Sequence, residues 1–429
     1  MERTLIKDVR AGATVKVQGF LENCRNKRSM AFLVIRDTSG KIQVTLEKEP
    51  RPDLARVVDM LTLDSVITVE GKAVANDYVK LNGIEIIPEK IIVESIAEAL
   101  PIQDDSSIDV RMDYRWIDLR SERNTLIFKA QTLITESFRQ LLLKKSFIEI
   151  HSPKLIGAAS ESGADVFELT YFDRKAYLAQ SPQFYKQMAM AAGLERIFEV
   201  GPVFRAEKSY TNKHATEFTG FDLEMSYIES YHDLIRIEQD MLADMLFSVK
   251  ERYGEDIKRL FDVDIVVPSK PFPVMKLCDV YDELEKRYGY QADESEKGDL
   301  ATEAERLCQR LSMDMFGHEF LFITDYGADK RAFYHMRDDA GIPLGYDLIW
   351  KGVEITTGSQ REHRYAQLCT QAKEKGLESD VKHYLRFFAY GCPPHGGFGM
   401  GLDRITMMVL GITIKEVMFV FRGPNRLEP

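Results

Sequence analysis

The sequence predicts an α+β protein in which a small β-barrel precedes a larger domain of sheet and helix. Three observations predict it. The first 100 residues are short runs rich in Val, Ile and Thr, divided by turn signals. From about residue 125 onward, long segments with apolar residues at helical spacing alternate with strand-like runs. The chain has 429 residues, 45% of them apolar and 29% charged. That is room for two or three domains with large cores and no need of disulfide staples.

In the first part the strand-like runs are 14–21, 31–36, 41–46, 65–75 and 78–93, the last carrying a turn signal at Asn82 and Gly83. Five strands in so short a span fit a closed barrel of the OB type. Segment 101–125 begins polar and aperiodic and reads as a hinge. Beyond it, 126–145 is an amphipathic helix and 147–150 a strand. Further strands are expected at 176–179, 196–203, 220–228, 319–324, 346–349 and 353–355. Helices are expected at 231–253, 279–288, 297–312 and 401–410. The pattern suits an antiparallel sheet flanked by helices. The expected organisation is a barrel over 1–100, a hinge over 101–125 and a second domain over 126–429.

The formal net charge is 57 − 68 = −11. Residues 1–100 hold 15 basic and 15 acidic side chains, so the whole excess sits in 101–429. An acidic total disfavours a protein that coats nucleic acid, but not one that grips a folded RNA through local patches. No stretch approaches the roughly 18 apolar residues that cross a bilayer. The N-terminus has neither an apolar segment nor a cleavage site, so no secretory signal is expected. The five cysteines are scattered without metal-ligand spacing, as reduced thiols in a cytoplasmic protein would be.

Four segments carry more polar side chains than a core tolerates. In 159–164, small residues flank Glu161, as in a mobile loop, and taken alone the segment reads as plain surface loop. In 180–187, Gln183 and Lys186 are three apart and share a helical face; two amides and an ammonium suit the polar groups of an amino acid, and a solvated helix start reads equally well. Segment 204–225 reads as a hairpin with a basic, His-containing loop; Arg205 and Glu207 share a parity, as do Asp222 and Glu224. A plain cross-strand salt-bridge ladder reads equally well there. The fourth pairs 346–361 with the glycine run 396–401 ahead of Arg404. Its acids, hydroxyl and arginines suit a metal-bound polyphosphate, although the glycines match neither a P-loop nor a dinucleotide fingerprint.

These segments resemble, in order and spacing, the motifs of the class II aminoacyl-tRNA synthetases, and specifically the aspartyl group (subclass IIb) of the archaeal and eukaryotic type. Residues 115–120 resemble the hinge, 147–153 motif 1, 204–225 motif 2 and 399–404 motif 3. Segments 181–186 and 358–361 resemble the aspartate-pocket signatures. The resemblance implies ATP-dependent activation of L-aspartate to aspartyl-adenylate and transfer to the 3′ end of tRNA(Asp). It leaves open whether tRNA(Asn) is charged as well. It also implies a homodimer, through motif 1, and Mg²⁺ bound with ATP.

Residue by residue, Arg205 matches the arginine on the α-phosphate and Arg404 the one on the γ-phosphate, the two catalytic positions. Glu207 and Phe218 match the adenine contacts, and His214 the pyrophosphate contact. Asp347, Glu354 and Thr357 match the metal positions. Lys186 and Arg361 match the contacts to the substrate side-chain carboxylate, so that asparagine would leave a buried positive pair uncompensated. Ser160, Gln183 and Asp222 match the α-amino contacts, with Thr357 at the edge of the amino-acid site, and Glu161 matches the closing loop. In the barrel, Phe32 and Gln43 match anticodon contacts, Glu85 a further one, and Arg25, Lys27 and Arg28 form a basic cluster for phosphates. Departures from the family pattern are Thr357 for Ser, Asp403 for Glu, and the tail around Arg422. An asparaginyl enzyme and a non-catalytic RNA-binding paralogue are the alternatives.

Overall fold

The structure, a computed structural model, describes residues 1–103, 105–157, 166–208, 211, 213–293, 296 and 298–428. It divides into two units, Met1–Thr125 and Leu126–Pro429.

The first unit is a closed barrel of β1 (Thr14–Asn26), β2 (Met30–Asp37), β3 (Gly40–Glu47), β4 (Val66–Ala75) and β5 (Ile84–Ser95), in the order β1-β2-β3-β5-β4. Alternate residues such as Val15, Val17, Leu33, Ile35, Val44, Ile67 and Val69 fill its interior, as the period of a strand requires. A helix absent from the sequence reading, α1 (Pro52–Asp59), packs Leu54 and Val58 onto that core. Pro52 opens it, at a first-turn position where proline's missing N–H costs no helical hydrogen bond. The expected aperiodic hinge contains two short helices, α2 (Ile108–Asp113) and α3 (Arg115–Asp118), pinned by the buried Arg115–Asp118 pair and by Arg111 on Asp118 at 2.7 Å.

The second unit is entered along α4 (Glu122–Lys144), followed by β6 (Ile148–Glu149) and a small sheet of β7 (Leu155–Ile156), β8 (Glu168–Tyr171) and β9 (Arg174–Leu178). Then come α5 (Gln183–Ala191), β10 (Arg196–Phe204), β11 (Glu217–Ser226) and the long α6 (His232–Phe261). The chain continues with β12 (Val274–Lys276), α7 (Leu277–Tyr288), α8 (Thr302–Phe316), β13 (Phe320–Thr324), β14 (Gly345–Trp350) and β15 (Val353–Arg361). It ends with α9 (Tyr365–Glu374), α10 (Lys382–Phe388), β16 (His395–Gly401), α11 (Leu402–Leu410) and α12 (Ile414–Val417).

The main sheet has eight strands in the order β12-β13-β14-β15-β16-β11-β10-β6. The six central strands are antiparallel as expected; the edge pairs β12–β13 and β10–β6 run parallel, so the sheet is mixed. Helix α6 buries Leu234, Met241, Leu242, Met245 and Val249 along one stripe.

One strand is absent from the sequence reading. The glycine run, which in sequence marks only the opening of the 401–410 helix, forms the central strand β16, between β11 and β15. Its neighbours dictate the glycines. A Cβ at Gly397 would lie 2.1 Å from the Leu223 carbonyl oxygen and 2.2 Å from Glu224 Oε2; at Gly399 it would lie 2.7 Å from Asp222 Oδ1. The strand has no side chains there because two carboxylates from β11 pass over it.

Candidate active site

A cavity of about 260 Å³ opens on one face of the main sheet. Its walls include Gln183 and Lys186 from α5, Arg205, Glu207 and His214 from the β10–β11 connection, and Phe218 and Asp222 from β11. Glu354, Thr357 and Arg361 of β15 and Arg404 of α11 complete it. Eleven of the residues singled out in sequence thus meet in one place, although they span more than 200 positions. Ser160 and Glu161 lie outside the described residues.

The closed end of the cavity is a buried set of four charges. Lys186 Nζ donates to Asp222 Oδ1 at 3.0 Å and to the Phe398 carbonyl at 3.2 Å, and lies 3.4 Å from Glu224. The Arg361 guanidinium donates to Glu224 at 3.0 and 3.4 Å, to Ser359 Oγ at 2.5 Å and to the Gly397 carbonyl at 2.9 Å. Burial alone would raise the Glu224 carboxyl; Arg361 and Lys186 outweigh it and hold it below the ordinary range. The Lys186–Arg361 pair thus faces two carboxylates, Asp222 and Glu224, and the four charges sum to zero. Glu224 is the functional residue sequence reasoning passed over. Its parity with Asp222 was the available signal. His335 also reaches this end; burial first, then Arg361, keeps its imidazole neutral by pushing it well below its usual range.

The open end carries the phosphate-binding candidates. Strand β10 stops at Phe204 and β11 starts at Glu217, so Arg205 and Glu207 belong to the connection and not to a ladder on the sheet face. Arg205 lies 3.9 Å from Glu207 and places its guanidinium 5.4 Å from the Phe218 ring. His214 bonds Thr211 and lies 3.9 Å from Glu207; burial, then Arg404, lowers its pKa. Arg404 donates to the Glu354 backbone carbonyl at 2.8 Å.

The strand geometry explains how Glu354 and Thr357 come to one side. Three positions apart, they would face opposite sides of a regular strand. A bulge in the β14–β15 pairing, where Leu348 pairs Thr356 but Ile349 pairs Glu354, inserts one residue and brings them together. Thr357 Oγ1 lies 3.3 Å from Glu354 Oε1. Burial and then Asp347 push the Glu354 carboxyl up to about 7. Asp347 itself does not line the cavity. It sits behind Glu354 and is held by both arms of Arg331, at 3.0 and 2.6 Å. Among the described residues no group of three His, Cys, Asp or Glu side chains forms a metal cage. An acid whose ionised form is disfavoured, beside a hydroxyl, presents hard oxygens of the kind that would suit a divalent cation.

The departures find local roles. Asp403 accepts from the Thr219 backbone N–H at 2.7 Å and from Gln131 Nε2 at 2.9 Å, tying α11 to β11 and α4. The tail contributes the Arg422 carbonyl, which accepts from the Thr216 N–H at 3.0 Å and so closes the β10–β11 connection.

In the barrel, Arg25 lies over the Phe32 ring at 5.0 Å, while Lys27 and Arg28 are exposed in the β1–β2 turn. Gln43 is on the same outer face. Glu85 is buried, and its oxygens are taken by Asn76 at 2.7 Å, Thr45 at 2.5 Å and Gln43 at 3.2 Å. Through the last of these it holds the Gln43 amide.

Comparison with known proteins follows the same lines. Residues 107–421 match the model for tRNA synthetases class II (D, K and N), and residues 15–94 match that for the OB-fold nucleic acid binding domain. The chain is 40% identical over 428 residues to an aspartate–tRNA(Asp/Asn) ligase of Methanopyrus kandleri, covering 98% of this chain and 97% of that protein. It is 38% identical to an aspartate–tRNA(Asp) ligase of Pyrococcus abyssi, covering 97% of each. Among solved structures it is similar to asparaginyl-tRNA synthetase from Pyrococcus horikoshii with asparaginyl-adenylate (TM-score 0.91, 29% identity, all of both chains). It is also similar to aspartyl-tRNA synthetase from Entamoeba histolytica (TM-score 0.88, 29% identity, 100% of this chain and 93% of that one). The chain belongs to the class II tRNA synthetases of the D, K and N group, with an OB-fold domain at its N-terminal end.

Proposed function

We propose that the protein is an aspartate–tRNA ligase, activating L-aspartate with ATP and transferring it to the 3′ end of tRNA(Asp). The observation that carries the choice of amino acid is the four-charge end of the cavity. An α-ammonium beside Asp222 neutralises that carboxylate. What remains is Lys186 and Arg361 against Glu224, a net charge of +1 that matches one side-chain carboxylate. Asparagine in the same pose leaves that charge buried and unpaired, at a cost of several kcal/mol.

The chemistry asks for no protein nucleophile, because the substrate α-carboxylate attacks the α-phosphorus and pyrophosphate leaves. The protein supplies position and charge. Arg205, close to the Phe218 ring, meets the α-phosphate, where negative charge grows during attack, while the ring lies under adenine and Glu207 takes its amino group. Arg404 and His214 hold the outer phosphates. A guanidinium suits this task because its planar fork meets phosphate oxygens and stays charged. Glu354 and Thr357 would hold Mg²⁺, with Asp347 behind them; the ion offsets phosphate charge when bound. The barrel binds the anticodon loop, with Phe32 as a stacking platform, Gln43 reading a base edge and Arg25, Lys27 and Arg28 on phosphates. A homodimer built on the edge around Ile148 belongs to the same reading.

Charging of purified tRNA(Asp) and tRNA(Asn) with labelled aspartate, side by side, tests the proposal. Aspartyl-tRNA(Asp) is the expected product. Label on tRNA(Asn) as well extends the tRNA range, which differs among the relatives. No label on either overturns the proposal.

A further inference from the structure

Beneath the cavity, and outside its lining, lies a chain of buried polar side chains that the mechanism above does not use. Gln187 is one turn beyond Gln183 on α5 and is fully buried. Its Oε1 accepts from Gln183 Nε2 at 2.7 Å and from the Tyr384 hydroxyl at 2.9 Å. Its Nε2 lies 3.0 Å from His395 Nε2, and His395 Nδ1 lies 2.8 Å from the Pro393 carbonyl oxygen.

The directions of these bonds follow from the last of them. A carbonyl only accepts, so His395 carries its proton on Nδ1 and offers a lone pair at Nε2. Gln187 must then turn its NH₂ toward His395 and its oxygen toward Gln183. Gln183 must in turn present its own NH₂ to Gln187. A backbone carbonyl thus sets the amide orientation of a cavity-lining side chain through two intermediates, and the polar atom of Gln183 left for a ligand is Oε1, an acceptor. Burial pushes His395 down to about 4, so the ring stays neutral at ordinary pH and the order does not reverse. The charged and titratable groups facing the ring are Glu224, Arg361, His363 and Cys392.

We propose that Gln187, His395 and Tyr384 are positioning residues for the amino-acid substrate, locking the Gln183 amide with its oxygen toward the α-ammonium. The proposal rests on the reading of this cavity as an aspartate site. An amide free to rotate would offer its NH₂ to that ammonium for part of the time, and a locked one does not. This effect falls on the amino acid and leaves the nucleotide end untouched.

The test is aspartate-dependent ATP–pyrophosphate exchange, with KM measured separately for aspartate and ATP. Gln187→Met unlocks the amide; KM for aspartate should rise about tenfold while KM for ATP stays within about twofold. Tyr384→Phe removes one donor without opening a cavity and should move the same constant in the same direction by less, which keeps the test usable if the first variant folds poorly. Gln187→Glu is the control variant. Its carboxyl group still accepts from Gln183 and Tyr384, and when protonated it donates to the His395 lone pair as the amide does. At low pH, where it is neutral, KM for aspartate should stay near the wild-type value while that of Gln187→Met stays raised. Equal changes in both KM values, or an unchanged KM for aspartate in Gln187→Met and Tyr384→Phe, overturn the proposal. Failure of the wild-type protein to use aspartate at all overturns the underlying reading instead.

Discussion

Lys186→Met removes one cation from the closed end of the cavity and nearly preserves the side chain's volume. Lys186 lies 3.0 Å from Asp222 and 3.4 Å from Glu224, so its charge is shared between them. With aspartate bound, the +1 that balances the substrate side chain falls to zero, and a buried carboxylate is left unpaired. Two unit charges at about 4 Å and an effective dielectric near 20 interact by about 4 kcal/mol. At 1.36 kcal/mol per decade this is about a thousandfold in kcat/KM for aspartate. Loss of a buried partner also destabilises the fold, by roughly 3–5 kcal/mol, so the assay is run well below the variant's melting midpoint. The readout is aspartate-dependent ATP–pyrophosphate exchange, with KM for ATP measured in parallel. A folded variant that loses less than about tenfold, or one whose KM for ATP changes as much as its use of aspartate, refutes the charge argument.

Three further outcomes are expected. Glu238 is buried beneath the sheet, accepts from the Tyr346 hydroxyl at 2.7 Å, and is pushed by burial from 4.5 up to about 8. Folding therefore binds a proton that the unfolded chain releases above about pH 4.5, and stability is lost as pH rises between the two values. Glu238→Gln should stabilise the protein by about 3 kcal/mol at pH 7, (7 − 4.5) × 1.36, and by almost nothing at pH 4.5, as read from urea unfolding at both pH values. Gly397→Ala should abolish aspartate use and lower the melting temperature sharply, because its Cβ falls 2.2 Å from Glu224 Oε2. Glu305 takes the Glu354 backbone N–H at 2.6 Å and Lys213 at 2.7 Å, so Glu305→Ala should raise KM for ATP several-fold and leave KM for aspartate unchanged, with the Lys213→Met double variant adding little more.

Much of this was legible in the sequence for a simple reason: strands and helices of this length carry their period, and the residues of the site come in motifs with fixed spacing. What was hidden depends on partners distant in the chain. The glycines of β16 look like no more than the lead into a helix until Asp222 and Glu224 of β11 are seen crossing them. Glu224 looks like half of a surface pair until Arg361, 137 residues later, is placed against it. The bulge at Ile355 leaves no mark in the residue pattern, yet it decides that Glu354 and Thr357 share a face. Arg331, which takes Asp347 out of the cavity wall, carries no motif at all. The convergence of Asn76, Thr45 and Gln43 on the oxygens of Glu85 is likewise invisible in the residue pattern.

The central claim is that the four charges of Lys186, Arg361, Asp222 and Glu224 select a carboxylate side chain. ATP–pyrophosphate exchange by the purified protein, with aspartate and asparagine supplied separately at equal concentration, addresses it most directly. Exchange with aspartate, at least about a hundredfold above that with asparagine, is the predicted result. Equal exchange with the two amino acids, or exchange with asparagine alone, would contradict it.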